Sequence, residues 1–297
     1  MTVRLLDGGM GQELRKRAVG PADSLIFSAR ALLDAPGAVQ SVHEDFLRAG
    51  ADILTAHTYV TNRWRLRQEK LDEHWSAINQ AACEVAEAAR EAINPGALIA
   101  GSVPPLRQAY QADFVPTATL DAEYAEHVLM LAPRVDFFLV ETLSTSAEAI
   151  AAARAVATTD RRAWISFTLE EEGPPRLRGG EPLAAALAAI SAAGPLPIDA
   201  ILVNCSMPEA VGYAMAELAA LDLPIPFGGY ANGFGPIPDG FGLTAGVADL
   251  AERADLDPDT YARHVARWIA NGATIVGGCC QIGPAHIARL RELIDHP

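Results

Sequence analysis

The sequence has few basic residues, and they form no cluster. There are 23 Lys and Arg against 37 Asp and Glu in 297 residues, which gives a formal net charge of −14 at pH 7. Proteins that follow a phosphate backbone carry a basic surface, because much of their affinity comes from neutralising phosphates. We therefore expect no nucleic-acid partner.

Long hydrophobic runs and biased segments are also missing. No stretch approaches the ~20 apolar residues that span a bilayer. The opening residues, MTVRLLDGG, lack the basic region and apolar stretch of a signal peptide. Half of the residues are hydrophobic, and there is no glycine period or low-complexity run, so fibrous and disordered classes are excluded. We expect a globular, cytoplasmic protein without a membrane partner.

Cysteine is scarce, with only Cys83, Cys205, Cys279 and Cys280. Four cysteines are too few to stabilise a chain of this length by disulfide cross-links. The adjacent pair is also poorly placed for an ordinary disulfide, so we expect reduced thiols. The spacing is not that of a zinc ribbon, and any metal site must be assembled across the fold. Cys83 lies in a helical stretch at 77–89, where a buried structural role is expected.

Apolar runs typical of strands alternate with segments of helical period, which is the pattern of α/β proteins. Several runs are continuously apolar, as in FFLVE and AILVN, and this favours parallel strands covered by helices. Eight such units in ~300 residues predict a single (β/α)8 barrel over residues 1–297. A doubly wound sheet is the alternative, although the first turn, at 7–12, lacks the GxGxxG spacing. The predicted strands are 4–7, 52–58, 97–103, 137–141, 163–169, 200–204, 225–230 and 274–277.

Helix starts and loops are also predicted. Thr145 and Ser206 each precede a Glu by three residues and fit a capping box. Asp257 followed by proline predicts another helix start. Segments 170–180 and 228–242, rich in Gly and Pro, are interpreted as loop insertions.

Three of the cysteines follow predicted strands at the end where barrel enzymes place their catalytic groups. Cys205 follows the sixth strand, and Cys279 and Cys280 follow the eighth. Strands two apart in an eight-stranded ring share one rim, so the three thiolates can meet. Three sulfur ligands and one exchangeable position form a catalytic zinc site, which we predict here. The alternative is that each cysteine is a small buried hydrophobe.

An open zinc site suits the alkylation of a thiol. The metal lowers the pKa of a coordinating thiol and holds it as thiolate. Three thiolates weaken the Lewis acidity of zinc towards water, so hydrolysis is less favoured. Asp7 and Glu141 end the first and fourth strands, where they could pair with a substrate ammonium. The amides of Gly8 and Gly9 could bind a carboxylate, although Asp7 to Gly9 also fits a simple tight turn.

Together these motifs resemble the homocysteine S-methyltransferase family, which includes betaine- and S-methylmethionine-dependent enzymes. The resemblance covers nearly the whole chain, and its most specific part is NC on the sixth strand combined with GGCC on the eighth. The segments that carry it are LLDGGMGQEL, HEDFLRAGADILTAHTYVTNR, GSV, VETLSTSAEA, SFT, ILVNCS, YANG and GATIVGGCCQIGPAHI.

The resemblance implies transfer of a methyl group to the thiol of homocysteine, giving methionine, in a barrel that contains zinc. The donor is expected to be a small sulfonium or quaternary ammonium compound of the S-methylmethionine, S-adenosylmethionine or betaine type. No cobalamin or folate segment follows the barrel, so a free-standing enzyme is expected. The residues that match the family fall into three groups: metal ligands Cys205, Cys279 and Cys280; the grip on homocysteine, Asp7, Gly8, Gly9 and Glu141; and Asn232 near the metal.

The donor side departs from the family. Relatives often show GS(V/I)GPYG after the third strand, but this chain has two prolines and no aromatic residue at 101–107. Three aromatic residues could face a cationic methyl group, namely Trp64, Tyr110 and Phe114. His57 could also contact the donor or be a structural histidine.

Two other functions stay open at this level. One is a barrel enzyme that binds a phosphorylated metabolite at Gly277 and Gly278, because such sites follow the last two strands of many barrels. The other is a non-catalytic relative that binds zinc or thiols. The cysteine trio favours the methyltransferase over both.

Overall fold

Eight parallel strands form the centre of the protein. The computed structural model describes residues 2–20, 26–112, 115–238, 241 and 250–296. In this part of the chain the strands are β1 (Arg4–Leu5), β2 (Ile53–Ala56), β3 (Leu98–Val103), β4 (Phe137–Leu143), β5 (Ala163–Phe167), β6 (Ile198–Asn204), β7 (Phe227–Tyr230) and β8 (Ile275–Val276).

The strands pair in the order β1-β8-β7-β6-β5-β4-β3-β2. A parallel bridge between Leu6 and Ile53 joins the first and last strands of that order, so the sheet closes into a barrel. All the strand pairs are parallel, as the continuously apolar runs predict. The predicted (β/α)8 barrel is confirmed, and the doubly wound alternative is wrong.

Side chains along the strands alternate between the barrel interior and the surrounding helices. On β4, Phe137 and Leu139 pack in the interior cluster, whereas Phe138 and Val140 pack in the larger core outside it. All of β4 is buried. The alternation places Glu141 inward at the carboxyl end of the strand, where the barrel opens.

Helices cover the barrel in the described residues. They are α1 (Met10–Lys16), α2 (Phe27–Asp34), α3 (Pro36–Arg48), α4 (Arg63–Gln68), α5 (Trp75–Ile93), α6 (Thr117–Leu131), α7 (Ser146–Val156), α8 (Leu183–Ala192), α9 (Pro208–Ala220), α10 (Pro258–Ala270) and α11 (Pro284–Asp295), with 3-10 turns at Asp72–His74 and Ala132–Arg134. Cys83 lies in α5 and is buried, as predicted. None of these described helices has the length and apolar content to cross a bilayer.

Two of the three predicted helix starts are confirmed. The side chain of Thr145 accepts a hydrogen bond from the amide of Glu148, and that of Asp257 accepts one from Thr260. The capping box at Ser206 is wrong, because α9 begins at Pro208 after an N-cap without a side-chain bond. The Ser206 hydroxyl instead accepts a hydrogen bond of 2.8 Å from the amide of Leu169, which links the ends of β5 and β6.

The predicted loops are partly correct. Segment 170–180 is stabilised by antiparallel bridges, including one between Leu169 and Leu177. The predicted loop 228–242 begins too early, because Gly228 to Tyr230 pair with β6 as part of β7. Residues 239, 240 and 242 of that loop lie outside the described part of the chain.

Candidate active site

A cavity of about 410 Å³ opens at the carboxyl ends of the strands. Seven of the eight predicted site residues line it: Asp7, Gly8, Gly9, Glu141, Cys205, Cys279 and Cys280. The eighth, Asn232, is buried behind the wall and does not line it. The barrel therefore brings residues from four strand ends to one pocket.

The three cysteine sulfurs form one cluster. Their Sγ atoms all lie within 4.8 Å of one another. Cys205 and Cys279 are joined in a disulfide, with Cα atoms 5.6 Å apart, and the Sγ of Cys280 is 3.9 Å from that of Cys205. The expectation of three reduced thiols is therefore wrong for this structure. Thiols that a fold brings to the spacing of metal ligands are also close enough for oxidation to join two of them.

The donor set fits a metal ion once the disulfide is reduced. Three sulfur atoms and an open side match a metal centre that keeps one exchangeable position. Burial raises the pKa of the Cys280 thiol to about 12, and the charge of Glu141 adds to the effect. A thiolate at this position therefore needs a nearby cation. The cluster could hold a metal in its reduced form.

Backbone hydrogen bonds fix the two loops that carry the cysteines. The amide of Cys279 donates to the carbonyl of Ala231 over 2.9 Å, and the amide of Gly233 donates to the carbonyl of Cys280 over 2.9 Å. Asn232 lies between Ala231 and Gly233 in the sequence, so both of its neighbours take part in these bonds. Its Oδ1 accepts a hydrogen bond from the amide of Phe234, while its Nδ2 is buried without a partner in the described residues.

The first loop packs directly on the last. A Cβ at Gly8 would lie 2.1 Å from the carbonyl oxygen of Ile282, and one at Gly9 would lie 2.8 Å from that of Cys279. No other residue fits these positions without displacing backbone. The amide of Gly9 donates to the carbonyl of Ile282 over 2.9 Å, so it is already occupied. Of the two predicted carboxylate-binding amides, only that of Gly8 has no acceptor in the described residues.

Asp7 is a buried acid with two hydrogen-bond donors. The amide and hydroxyl of Thr55 donate to its two carboxylate oxygens, each over 2.8 Å. Burial nevertheless raises the pKa of Asp7 to about 7, and the charge of Glu141 contributes to this rise. A cation between Asp7 and Glu141 would favour the ionised form of both acids.

Glu141 is held in the same way by two residues to which the sequence assigned no role. The Ser102 hydroxyl donates to its Oε1 over 2.5 Å, and the Tyr230 hydroxyl donates to its Oε2 over 3.0 Å. Burial raises the pKa of Glu141, and both hydrogen bonds oppose the rise. The inward alternation of side chains along β3 and β7 is the sequence signal that could have found Ser102 and Tyr230.

Asn204, the last residue of β6, is a third residue without a predicted role. Its Oδ1 accepts hydrogen bonds from the amide of Thr142 and the hydroxyl of Ser166, over 2.9 and 2.7 Å. Its Nδ2 donates to the Thr142 hydroxyl over 2.8 Å. Thr142 and Cys205 both have positive φ, 62° and 48°, which residues with a Cβ rarely adopt. Asn204 therefore stabilises the strained backbone of β4 at Thr142, beside Glu141, where the pairing with β5 is irregular.

The predicted donor side is partly formed by the described residues. Trp64, Tyr110 and His57 line the cavity, and Phe114 lies outside the described residues. Guanidinium groups already stack on two of the rings, Arg107 on Trp64 at 5.7 Å and Arg178 on Tyr110 at 5.3 Å. Burial lowers the pKa of His57 to about 4, so this ring is neutral.

Comparison with known proteins identifies the family. The profile of the homocysteine S-methyltransferase family matches residues 4–294. A homocysteine S-methyltransferase of Escherichia coli is 33% identical, over 97% of this chain and 94% of its own length. Homocysteine S-methyltransferase 4 of Zea mays is 28% identical, over 98% of this chain and 89% of its own.

Solved structures give the same result. The metallated form of a homocysteine methyltransferase from Escherichia coli aligns with a TM-score of 0.82 and 28% identity, over 99% of this chain and 96% of that one. The oxidized form of the same enzyme aligns with a TM-score of 0.81. The chain belongs to the homocysteine S-methyltransferase family and is a methyltransferase. The resemblance found in the sequence is confirmed. The two alternatives, an enzyme that binds a phosphorylated metabolite and a non-catalytic relative, lose their support.

Proposed function

We propose that the chain transfers a methyl group from a small sulfonium or quaternary ammonium donor to the thiol of homocysteine, giving methionine, with zinc as its metal. Residues 1–297 would act as one homocysteine-binding barrel. The observation that carries the proposal is one cavity with three clustered sulfurs and two buried acids. Relatives in mammals are named S-methylmethionine– and betaine–homocysteine S-methyltransferases, which supports these two donor types.

The acids and the first loop would hold the amino-acid end of homocysteine. Asp7 and Glu141 are buried and close enough for their charges to interact, and each of their carboxylate oxygens accepts a hydrogen bond from the protein. An ammonium group is the cation that compensates both carboxylates. The amide of Gly8 would bind the substrate carboxylate, and Gly9 would hold the loop against Ile282.

The three cysteines would hold zinc, which is a better match to sulfur ligands than the harder cations. When bound, the ion supplies Lewis acidity that lowers the pKa of the substrate thiol. The side chains around the cavity orient the two substrates so that the sulfur faces the donor methyl. As the new bond from sulfur to carbon forms, the donor loses its methyl and leaves as a neutral thioether or amine. No protein general base is assigned.

The test is zinc content and methyl transfer measured on the same reduced protein. We expect about one zinc per chain and methionine formation with S-methylmethionine, S-adenosylmethionine or betaine. Cys279→Ala should lose the metal and the activity together, whereas Cys83→Ala, in a helix away from the cavity, should keep both. Full activity of zinc-free protein would refute the role of the metal.

A further inference from the structure

Arg65 lies in the wall of the cavity. It is the third residue of α4, and its guanidinium stacks over the ring of Tyr59 at 5.1 Å. Both side chains line the cavity, as does the neighbouring Trp64. The residue as a whole is half-buried, and two of its guanidinium nitrogens, Nε and Nη2, are shielded from solvent.

Arg65 lacks a counter-ion in the described part of the chain. Its Nε and Nη2 are buried and have no hydrogen-bond partner there. The other arginines near the cavity differ, because Arg107 makes a bidentate ion pair with Glu123, over 2.6 and 2.9 Å, and Arg178 pairs with Glu171. A desolvated guanidinium without an acceptor is unfavourable, and a carboxylate is the group that matches its planar fork.

The position of Tyr59 relates Arg65 to the reacting groups. Burial raises the pKa of the Tyr59 phenol to about 12, and the charges of Arg65, Glu141 and Cys280 all act on it. The ring on which Arg65 stacks is therefore close enough to Glu141 and Cys280 for their charges to act on it. A ligand group bound by Arg65 would be several atoms away from a methyl that reaches the sulfur cluster.

We propose that Arg65 binds the carboxylate of the methyl donor, so that the preferred donor is a zwitterion in which a carboxylate is joined to the methylated sulfonium or ammonium centre. The inference rests on the proposed function and adds the residue that selects the donor. Homocysteine has its own proposed partners in the cavity, Asp7, Glu141 and the amide of Gly8. A donor with a positive centre but no carboxylate would meet the unpaired charge of Arg65 and be repelled.

The experiment compares each donor with an analogue in which an uncharged carboxamide replaces the carboxylate. The wild type, Arg65→Gln, Arg65→Lys and the control Arg67→Gln are assayed with S-methylmethionine or betaine, and with the carboxamides of these compounds as substrates or as inhibitors. Arg67 lies on the same short helix, but its side chain is 62% exposed and pairs with Asp72. The control therefore removes a charge of the same sign outside the cavity.

We expect the wild type to bind the carboxylate donor at least about tenfold more tightly than the amide, because a charged hydrogen bond is lost in the amide. Arg65→Gln should raise the donor KM by about the same factor and abolish the preference, with Arg65→Lys between the two. The KM for homocysteine should change less than about twofold, and Arg67→Gln should behave as the wild type.

Two outcomes overturn the inference. One is a preference for the carboxylate that persists in Arg65→Gln, and the other is a rise in the KM for homocysteine while that for the donor is unchanged, which would assign Arg65 to the acceptor. Failure of the proposed function gives a separate result, since the wild type would then methylate homocysteine from none of the donors.

Discussion

The hydroxyl of Ser102 donates a hydrogen bond of 2.5 Å to the carboxylate of Glu141, across the paired strands β3 and β4. The hydroxyl of Tyr230 donates to the second oxygen of the same carboxylate. Both donors favour the ionised form of a group whose burial opposes ionisation. They also fix the carboxylate in position before a substrate enters, which reduces the cost of ordering it on binding.

Ser102→Ala should therefore weaken the binding of homocysteine. Without the hydroxyl, the pKa of Glu141 rises further, and the carboxylate loses one of its two anchors. We expect the KM for homocysteine to rise by about tenfold, as for the loss of one charged hydrogen bond, while the donor KM is unchanged. Steady-state kinetics with each substrate varied in turn will measure both constants. Ser191→Ala, on the exposed surface of α8, is the control, and an equal effect there would contradict the prediction.

Binding at the acid pair should depend on pH. The pKa of Asp7 is raised to about 7, so the acid is mostly protonated below that pH and must release its proton before it can pair with an ammonium. Affinity therefore increases as the pH rises. Norleucine, which has the amino-acid end but no thiol, isolates this effect from ionisation of the substrate sulfur. We expect its inhibition constant to fall about tenfold between pH 6 and pH 8.

Asp7→Asn removes the titrating group and is the matched test of this pH dependence. The variant should bind norleucine more weakly at pH 8, and its inhibition constant should vary little between pH 6 and pH 8. A variant that keeps the full slope of the wild type would show that another group titrates, with Glu141 the first to examine because its pKa is also raised.

The disulfide and the metal site should exclude each other. Cys205 and Cys279 are bonded in this structure, whereas Cys83 and Cys280 are free. Thiol titration of the denatured protein should give two thiols in this form and four after reduction, because the chain has four cysteines. Only the reduced form with four thiols should bind zinc, because a disulfide sulfur carries no negative charge that could coordinate the ion. Equal uptake by both forms would contradict the assignment of the ligands.

The parts of this molecule that follow from local sequence were predicted well. Apolar runs of strand length located all eight strands, and the rule that barrel sites lie at strand ends predicted that Cys205 lies near Cys279 and Cys280. Both inferences need only the order of residues and the closed shape of the sheet. The cluster of three sulfurs was therefore predictable across a separation of 74 residues.

Side-chain partners were predicted less well, because they depend on how neighbouring strand ends meet. Ser206 lies in a sequence typical of a helix cap. Its hydroxyl instead accepts a hydrogen bond from the amide of Leu169, which follows the neighbouring strand β5. Gly9 was expected to offer its amide to a ligand, but Ile282 accepts from it instead. The oxidised state of Cys205 and Cys279 depends on sulfur distance, which spacing in the sequence does not give.

Asn204 is the residue whose removal should show how the strained backbone at Thr142 supports the site. Its side chain makes three hydrogen bonds with Thr142 and Ser166, all buried, and Thr142 has a φ of 62°. Asn204→Ala leaves the Thr142 amide without an acceptor, which costs about 1–3 kcal/mol of stability. The backbone at Thr142 then loses the hydrogen bonds from Asn204 that restrain it in the left-handed region.

We expect Asn204→Ala to lower the Tm and, separately, to lower kcat/KM by more than the fraction of unfolded protein explains. Thermal unfolding and kinetics well below the Tm distinguish the two effects. Asn271→Ala, at the exposed end of α10, should change neither. If Asn204→Ala loses stability but keeps full kcat/KM while folded, the strained backbone at Thr142 has a structural role alone, and the position of Glu141 is set by Ser102 and Tyr230 without help from β6.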